Sequence, residues 1–375
     1  MNMTKRIIVG GAGGTPALNF IRSLRMTTED FFLIGISCNK YDLVKAKNLV
    51  DKCFMVPPAK NTEYLPILKQ IIAETKANFM HAQNDEEIRV ISQHRDELGA
   101  NTFLPSHKIV EVCQNKLRST QIWAKAGLKV PKTFAVTDEA ALREAFAKIR
   151  GKVWVRATTG AAGKWALPTH DFEFAKKWID YFDGWGQVSA AEYLSPDTVT
   201  WLSIWNKGEL VVAQSRKRLY WEFSDRSISG VTGITGTGVT TSDKELDSIA
   251  IKAIQAIDQS PNGIYGVDLT YDSSGIANPT EINIGRFFTT HQFFSEAGLN
   301  MPYIYVKLAF NEKINKIRKK INPLHPSLAW VRGMDIAPIL TSVREIDAFE
   351  KELSKRNENV SNHRGAEASC HRSNI

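Results

Sequence analysis

The sequence predicts a mixed fold, with an α/β domain first and an α+β region after it. Strands and helices alternate over residues 5–82, whereas later strands come in pairs joined by short turns, at 198–215 and 263–284. Alternation indicates a parallel sheet covered by helices, and short turns indicate antiparallel hairpins. At 375 residues the chain is also too long for one ordinary core, so two or three domains are expected.

Periodicity places the individual elements. In the first domain, residues 1–112, strands are predicted at 5–12, 31–37, 50–56 and 79–82, and helices at 18–24 and 64–74. Helices follow at 115–127, 138–150 (with Asp138 as N-cap), 172–182, 244–257 and 302–310. Strands are predicted at 152–157 and 187–193, an extended segment begins at 130–131, and two hairpins turn at 206–208 and 272–275. The polar, aperiodic residues 351–375 predict a disordered tail.

A glycine-rich turn, Gly10 to Gly14, follows the first strand. Such glycines let a phosphate approach the start of a helix, which would suit a dinucleotide-dependent oxidoreductase. The third glycine of that fingerprint is missing, and Ser37, Cys38 and Asn39 stand where an acidic ribose ligand is expected. A tight turn without a dinucleotide is therefore at least as good an interpretation.

Composition excludes several function classes. The net charge is +8, but the basic residues are scattered, so an anionic small substrate is favoured over nucleic acid. The four cysteines are widely spaced, which argues against a zinc site and against a disulfide framework. No run reaches the roughly 18 apolar residues that a membrane span needs, and no signal peptide is expected. The predicted location is the cytoplasm.

Two carboxylates and an amide form the clearest constellation. Glu281 and Asn283 alternate with Ile282 and therefore share one face of a strand. The preceding hairpin strand carries Asp268, which can lie opposite Glu281. An all-oxygen set of this kind suits Mg²⁺ together with phosphate oxygens. The alternative is a solvated hairpin face.

Cations lie near this predicted metal site. Arg286 follows three residues after Asn283, where a guanidinium can stabilise a transferred phosphoryl group or pair with Glu281. A glycine-rich turn at 158–164, containing Gly160 and Gly163, can cover phosphates and donate backbone N–H groups. Arg156 just before the turn strengthens that interpretation, although many hairpins carry two glycines.

The order of these parts resembles the ATP-grasp superfamily, and most closely its carbamoyl-phosphate-synthetase-like carboxylate–amine ligases, over about residues 5–310. The matching segments are Asn84-Asp85-Glu86-Glu87, Asn115-Lys116, Val155-Arg156 with the glycine loop, Ala191-Glu192-Tyr193-Leu194, and Glu281-Ile282-Asn283. The resemblance implies a pre-ATP-grasp Rossmann-like domain (1–112) followed by a two-lobed ATP-grasp fold. Its small lobe is expected at 113–190 and its large lobe at 191–312, with an extension at 313–350 before the tail.

The same resemblance implies roles for single residues. ATP phosphates would contact Lys116, Arg156, Gly160 and Gly163, adenine would meet Glu192, Tyr193 and Leu194, and ribose would meet Asp197. Mg²⁺, for which Mn²⁺ could substitute, would be held by Asp268, Glu281 and Asn283, with Arg286 and Arg156 as catalytic residues. Relatives commonly place their arginine one residue earlier than Arg286 stands here.

The substrate is expected between Arg286 and residues 214–241, which the sequence presents as a loop. The candidate contacts are Arg216, Arg218, Arg226 and Thr237. A mobile loop that binds no ligand is an equal alternative for the glycine-rich part of this segment. His291 is a further candidate contact, though a structural histidine is the more common case.

The resulting function is an ATP-dependent ligase. It would convert a small carboxylate into its acyl phosphate and join it to an amine, with release of ADP and phosphate. The alternatives are a non-catalytic ATP-binding regulatory protein, a phosphotransferase that stops at the phosphorylated product, and the oxidoreductase. The expected partners are the carboxylate and the amine, and a homodimer through the first domain stays open.

Overall fold

The computed structural model describes residues 4–161, 163–226, 228–230, 234–333, 339–348 and 351 of the chain. Three β-sheets organise this part of the molecule, and each occupies its own stretch of sequence. The predicted tail at 351–375 lies outside the described residues except for residue 351, and so does Ala162 of the predicted glycine loop. Among the described helices, none is long and apolar enough to cross a membrane.

Four parallel strands form the first sheet, which confirms the prediction from alternation. The strands are β1 (Lys5–Val9), β2 (Phe31–Ser37), β3 (Lys52–Met55) and β4 (Phe79–His81), ordered β3-β2-β1-β4. The helices of this region are α1 (Thr15–Arg25), α2 (Lys40–Ala46), α3 (Tyr64–Thr75), α4 (Asp85–Gln93) and α5 (His107–Gln114). Sequence reasoning missed α2, α4 and α5, because helices of 7, 9 and 8 residues give too few turns for a clear period.

The second sheet is antiparallel and lies between residues 133 and 192. Its strands are β5 (Thr133–Val136), β6 (Val153–Ala157), β7 (Leu167–Thr169) and β8 (Val188–Glu192), in the order β5-β8-β6-β7. Helix α6 (Lys116–Lys125) precedes it, and α7 (Glu139–Lys148) and α8 (Phe172–Tyr181) cover it. Asp138 caps α7 as predicted, since its carboxylate accepts the N–H of Ala141 at 2.8 Å.

The third sheet has seven strands, ordered β13-β12-β9-β10-β11-β14-β15. They are β9 (Thr198–Asn206), β10 (Glu209–Glu222), β11 (Ile234–Thr241), β12 (Gly263–Tyr271), β13 (Ala277–Ile284), β14 (Leu328–Val331) and β15 (Ile339–Ser342). The helices are α9 (Lys244–Ile257), α10 (Gln292–Glu296) and α11 (Met301–Ala309). Both predicted hairpins, β9–β10 and β12–β13, are confirmed, and so is α9.

Residues 214–241, which the sequence presents as a loop, belong largely to the third sheet, so that prediction is wrong. Strand β10 continues to Glu222, and β11 pairs with it from Ile234 onward. Three consecutive cations in β10 hide the apolar alternation that would mark a strand. The glycines of β11 leave space for neighbouring side chains. A Cβ on Gly238 would lie 2.6 Å from Cδ of Arg216. Gly236 and Gly238 therefore make room for the side chains of β10.

Buried aromatic rings join the first sheet to the third. Phe20 of α1 stacks on His81 at 3.9 Å, and Phe287, which follows β13, lies 5.8 Å from Phe20. Tyr305 of α11 contacts both Phe20 and Phe79 edge-on. Since aromatic contacts of this size dominate core energetics, they hold the N-terminal end of α4 beside the end of β13.

A carboxylate occupies the glycine-rich turn between β1 and α1. Glu87 of α4 is buried, and a Cβ on Gly10 would lie 2.2 Å from its Oε2. The hydroxyl of Tyr64 donates to Oε1 at 3.1 Å. Burial raises the pKa of Glu87 from 4.5 to about 7, while hydrogen bonds from Tyr64, Gln83 and Gly11 lower it in part. An acidic group in this position disfavours a phosphate, so the structure favours the tight-turn interpretation.

We expect Glu87→Gln to remove a pH dependence of stability. A carboxyl whose pKa is raised by folding stabilises the protein below pH 4.5 and loses that contribution as pH rises through about 7. Relative to Glu87→Gln, the wild type should therefore lose up to about 3 kcal/mol of unfolding free energy between acidic and mildly alkaline pH. Urea unfolding at pH 5 and pH 8 measures the difference.

The matched control is Glu86→Gln, which changes a half-exposed carboxylate on the same helix that pairs with Lys60. Its pH profile should run parallel to that of the wild type. If the pH profile of stability for Glu87→Gln also runs parallel to that of the wild type, the raised pKa of Glu87 is refuted.

Candidate functional site

A row of polar side chains crosses four neighbouring strands of the third sheet. In register, Glu281 on β13 lies opposite Asp268 on β12, Asp268 lies opposite Thr200 on β9, and Thr200 lies opposite Arg216 on β10. Directly opposed residues share a face of the sheet. The structure therefore confirms that Asp268 and Glu281 are neighbours, and it extends the row to two residues on the next strands.

Asp268 receives hydrogen bonds from three sides. The hydroxyl of Thr200 and the Arg218 guanidinium (3.0 Å) donate to its Oδ1, and the Asn283 amide donates to its Oδ2 at 3.0 Å. Burial alone would raise the pKa of Asp268, but Arg218, Thr200, Arg216 and Asn283 outweigh it and hold the pKa below its usual value. The carboxylate is therefore ionised at neutral pH.

Arg286 lies between the third sheet and the start of α4. Its Nη2 donates to Asn283 Oδ1 at 2.6 Å, and its Nε donates to Asp85 Oδ1 at 2.8 Å. Burial lowers the pKa of Arg286, yet Asp85, Glu281 and Asp268 together raise it above its usual value. The extra residue before Arg286 therefore leaves its guanidinium in contact with the Glu281–Asn283 motif.

Lys116 connects the predicted metal site to the glycine loop. Its Nζ lies 3.2 Å from Glu281 Oε1 and donates to the carbonyl of Gly160 at 2.5 Å. Its backbone N–H donates to Thr158 O at 2.8 Å. Gly163 stands in the same loop, which leads from β6 to β7. Lys116 thus approaches the carboxylates from the side of the second sheet.

Arg156 approaches from the same side. Its Nη2 donates to the carbonyl of Thr280 at 3.1 Å. Its buried Nε has no hydrogen-bond partner within the part of the chain that the structure describes. Burial lowers the pKa of Arg156, and Glu281 and Asp268 raise it in part. Strand β6 therefore directs a cation at the acidic row of the third sheet.

The predicted adenine segment runs from the end of β8 toward β9. Glu192 Oε2 accepts the N–H of Lys132 at 2.9 Å, and the ring of Tyr193 lies 5.9 Å from Trp154. The backbone N–H and C=O of Leu194 take part in none of the hydrogen bonds of the described structure. Asp197 pairs with Lys217 at 3.1 Å. Leu194 therefore has a backbone N–H and C=O without a hydrogen-bond partner among the described residues.

The four predicted substrate contacts separate into two places. Arg216 and Arg218 lie at the acidic row, whereas Arg226 ends a short 3₁₀ helix at the tip of the β10–β11 hairpin and is exposed. Thr237 lies opposite Tyr220 on β10. The structure therefore brings only the first two beside Asp268.

Sequence analysis did not predict three residues that lie at or near the candidate site. Asp85 stands in the segment that resembles the pre-ATP-grasp domain, but nothing local indicates that it binds an arginine 201 residues away. Thr200 is one of several polar residues in an alternating strand. Arg332, whose Nη1 donates to Thr289 O at 3.3 Å, follows a short strand near the end of the described chain. His291, by contrast, is fully buried, and its Nδ1 lies 2.7 Å from the carbonyl oxygen of Phe288. This contact with the backbone favours a structural role for His291.

We expect Asp85→Asn to destabilise the protein. The variant leaves the Arg286 guanidinium, whose side chain is 15% exposed, without its carboxylate. Removing one partner of a largely buried ion pair costs about 2 to 4 kcal/mol of unfolding free energy. Urea denaturation at neutral pH measures the loss.

The control is Glu139→Gln, which breaks the Arg143–Glu139 pair on α7, where both side chains are well exposed. That change should cost less than about 1 kcal/mol. Equal losses in the two variants would contradict a structural role for the Asp85–Arg286 pair.

Comparison with known proteins identifies the fold. No family model matches the chain, and neither does any curated protein. Among solved structures, the biotin carboxylase domain of the 2-oxoglutarate carboxylase of Hydrogenobacter thermophilus aligns with a TM-score of 0.68 at 15% identity, covering 88% of this chain and 74% of that one. The N5-carboxyaminoimidazole synthetase of Staphylococcus aureus aligns with a TM-score of 0.65 at 13% identity, covering 88% and 84%.

A third structure matches almost from end to end. The L-amino acid ligase of Bacillus licheniformis has a TM-score of 0.67 at 12% identity, covering 95% of this chain and 98% of the ligase. Identities this low carry the fold and leave the substrate open. The chain has the fold of the ATP-grasp ligases.

Proposed function

We propose that this protein is an ATP-dependent carboxylate–amine ligase that forms an acyl phosphate. The observation that carries the proposal is the convergence of cations from separate parts of the chain on one pair of carboxylates. Lys116 pairs with Glu281, which lies across from Asp268, while Arg156 bonds to the carbonyl of Thr280 and Arg286 bonds to Asn283 on either side of it. Phosphoryl transfer needs such an arrangement, since catalysis rests on positioning and on stabilising charge at the phosphates.

Nucleotide would bind between the second and third sheets. Lys116 and Arg156 would neutralise the phosphates, and the loop at 158–164, with Gly160 and Gly163, would cover them. Adenine would meet the free backbone groups of Leu194, beside Glu192 and Tyr193, and Asp197 would contact the ribose. The biotin carboxylase of Hydrogenobacter thermophilus, described as a complex with MgADP, supports this assignment by its shared fold.

The acidic row suits Mg²⁺ in its donor chemistry. Glu281, Asp268 and Asn283 offer two carboxylates and an amide oxygen from adjacent strands, and Mg²⁺ commonly takes one or two carboxylates plus phosphate oxygens. Glu281 has only Lys116 as an ion-pair partner in the described structure, whereas both oxygens of Asp268 already accept hydrogen bonds. Glu281 is therefore the most available ligand. When bound, the ion would neutralise charge on the β- and γ-phosphates.

The acceptor carboxylate would lie at Arg286. In the proposed reaction, its oxygen attacks the γ-phosphorus of ATP, and the bond to the bridging oxygen of ADP breaks. The amine nitrogen then attacks the acyl carbon, the C–O bond to phosphate breaks, and the amine loses a proton. Arg286 is suited to orient the acceptor because Asp85 and Asn283 fix both sides of its guanidinium. Closure of the loop at 158–164 would exclude water from the acyl phosphate.

We also propose the domain division that the resemblance implies. The pre-ATP-grasp domain would span 1–112, the small lobe 113–190, the large lobe 191–312 and an extension 313–350. The three separate sheets support this division, because each falls within one of the proposed units apart from β14, β15 and the last two residues of β8.

ADP release tests the function directly. Purified protein with Mg-ATP is screened against pools of amino acids and other small carboxylates, each with and without amines. We expect one pool to stimulate ADP release, and Glu281→Gln to reduce the stimulated rate by about 100-fold or more, since it removes a charge used in the transition state. Mn²⁺ should support the same reaction.

The matched control is Glu209→Gln, an exposed carboxylate in the same sheet. It should keep the wild-type rate. ATP that raises the melting temperature without any turnover would indicate a regulatory ATP-binding protein, and stimulation by a carboxylate without need for an amine would indicate a phosphotransferase. Absence of ATP binding would refute the proposed function.

A further inference from the structure

A buried arginine beside the acidic row lacks a full set of partners. Arg216 is 1% exposed, and its Nη2 donates to Thr200 Oγ1 at 3.1 Å. Within the described residues, its Nε and Nη1 have no hydrogen-bond partner. One face of the guanidinium lies 4.5 Å from the centre of the Phe288 ring. A buried cation with free N–H groups is costly unless an anion completes it.

The charged groups around Arg216 are mostly cations. Burial lowers its pKa well below the usual value, Arg218 and Arg332 lower it further, and only Asp268 raises it. Asp268 is already engaged by Arg218. Burial lowers the pKa of Arg332, Glu222 raises it in part, and Arg22 lowers it further. The region therefore holds more positive charge than its acids neutralise.

Further hydrogen-bond donors without partners lie on residues next to the contacts of Arg216 and Arg332. The buried hydroxyl of Thr290 and the buried indole N–H of Trp330 have no partner in the part of the chain that is described. Trp330 lies opposite Gly238 in register, and the Arg216 side chain packs on Gly238. Thr290 follows Thr289, whose carbonyl binds Arg332. Hydroxyl and indole donors beside guanidinium groups suit an anion.

We propose that Arg216 and Arg332, with Arg218 at one side, bind a second anionic group on the carboxylate substrate. This inference rests on the proposed function and names the substrate class: a dianion, either a dicarboxylate or a phosphorylated carboxylate. The reacting carboxylate lies at Arg286 and the second anion at Arg216. Arg216 and Arg286 stand at the two ends of one chain of hydrogen bonds, which runs through Thr200, Asp268 and Asn283. The two anions therefore occupy distinct places.

Anion binding without nucleotide tests the inference. The probes are succinate against propionate, and 3-phosphoglycerate against glycerate, measured by calorimetric titration and by thermal shift. We expect one dianion to bind the wild type at least tenfold tighter than its monoanionic counterpart. Which pair shows the preference separates a dicarboxylate from a phosphorylated acid.

The variants are Arg216→Gln and Arg332→Gln, with Arg143→Gln on the surface of α7 as the charge-matched control. Both test variants should lose the preference for the dianion, and the control should keep it. Arg216→Gln should fold, because it removes a buried charge that lacks full pairing, and a cooperative melt checks this. Arg332 is only half-buried. The Arg332→Gln variant therefore tests the dianion preference even if Arg216→Gln fails to fold.

MgADP binding is measured in parallel. All variants should keep it, so a wild type that fails to bind MgADP refutes the proposed function while the anion titrations remain readable. No preference for a dianion in the wild type, or an unchanged preference in both variants, overturns the inference. Loss of MgADP binding in the variants, with the acids unaffected, overturns it as well, since the cations would then serve the nucleotide.

Discussion

The carboxylate of Asp268 is the contact on which the candidate site depends. It accepts hydrogen bonds from residues on β9, β10 and β13, and Thr200 and Asn283 pass the connection on to Arg216 and Arg286. Side chains that would otherwise move independently are thus tied to the backbone ladder of one sheet. A site built on strands is held more precisely than one on loops, which is the condition for electrostatic stabilisation without reorganisation.

The same chain of hydrogen bonds reaches α4, which packs beside the first sheet. Arg286 bonds to Asn283 on one side and to Asp85 at the start of α4 on the other. Asp85 can be there only because the buried aromatic rings, with Phe20 and Phe287 among them, fix the first sheet against the third. In the region of the first sheet, the buried carboxyl of Glu87 fills the glycine turn and disfavours a dinucleotide phosphate there. The contribution of this region to the site is a carboxylate that positions an arginine.

Local pattern predicted much of this fold and part of the site. The β12–β13 hairpin has strong alternation and a short turn, so its bounds and the Asp268–Glu281 pairing could be read from sequence. The course of β10 could not, because its cations replace the apolar residues that mark a strand. The Asp85–Arg286 pair could not either, because it depends on packing between distant segments. Local sequence pattern predicts helices and strands, whereas tertiary contacts determine which charged side chains form pairs.

Lys116 connects the third sheet to the glycine loop of the proposed site. Its ammonium holds Glu281 on the third sheet and the carbonyl of Gly160 in the glycine loop at the same time. A phosphate that took over one of these contacts would compete with a neutral carbonyl more readily than with a carboxylate, because bonds between charged groups are the stronger ones. Nucleotide binding would then free the loop from Lys116 while Glu281 stays in place. The loop could therefore reposition over the phosphates without disturbing the charges that the sheet has arranged.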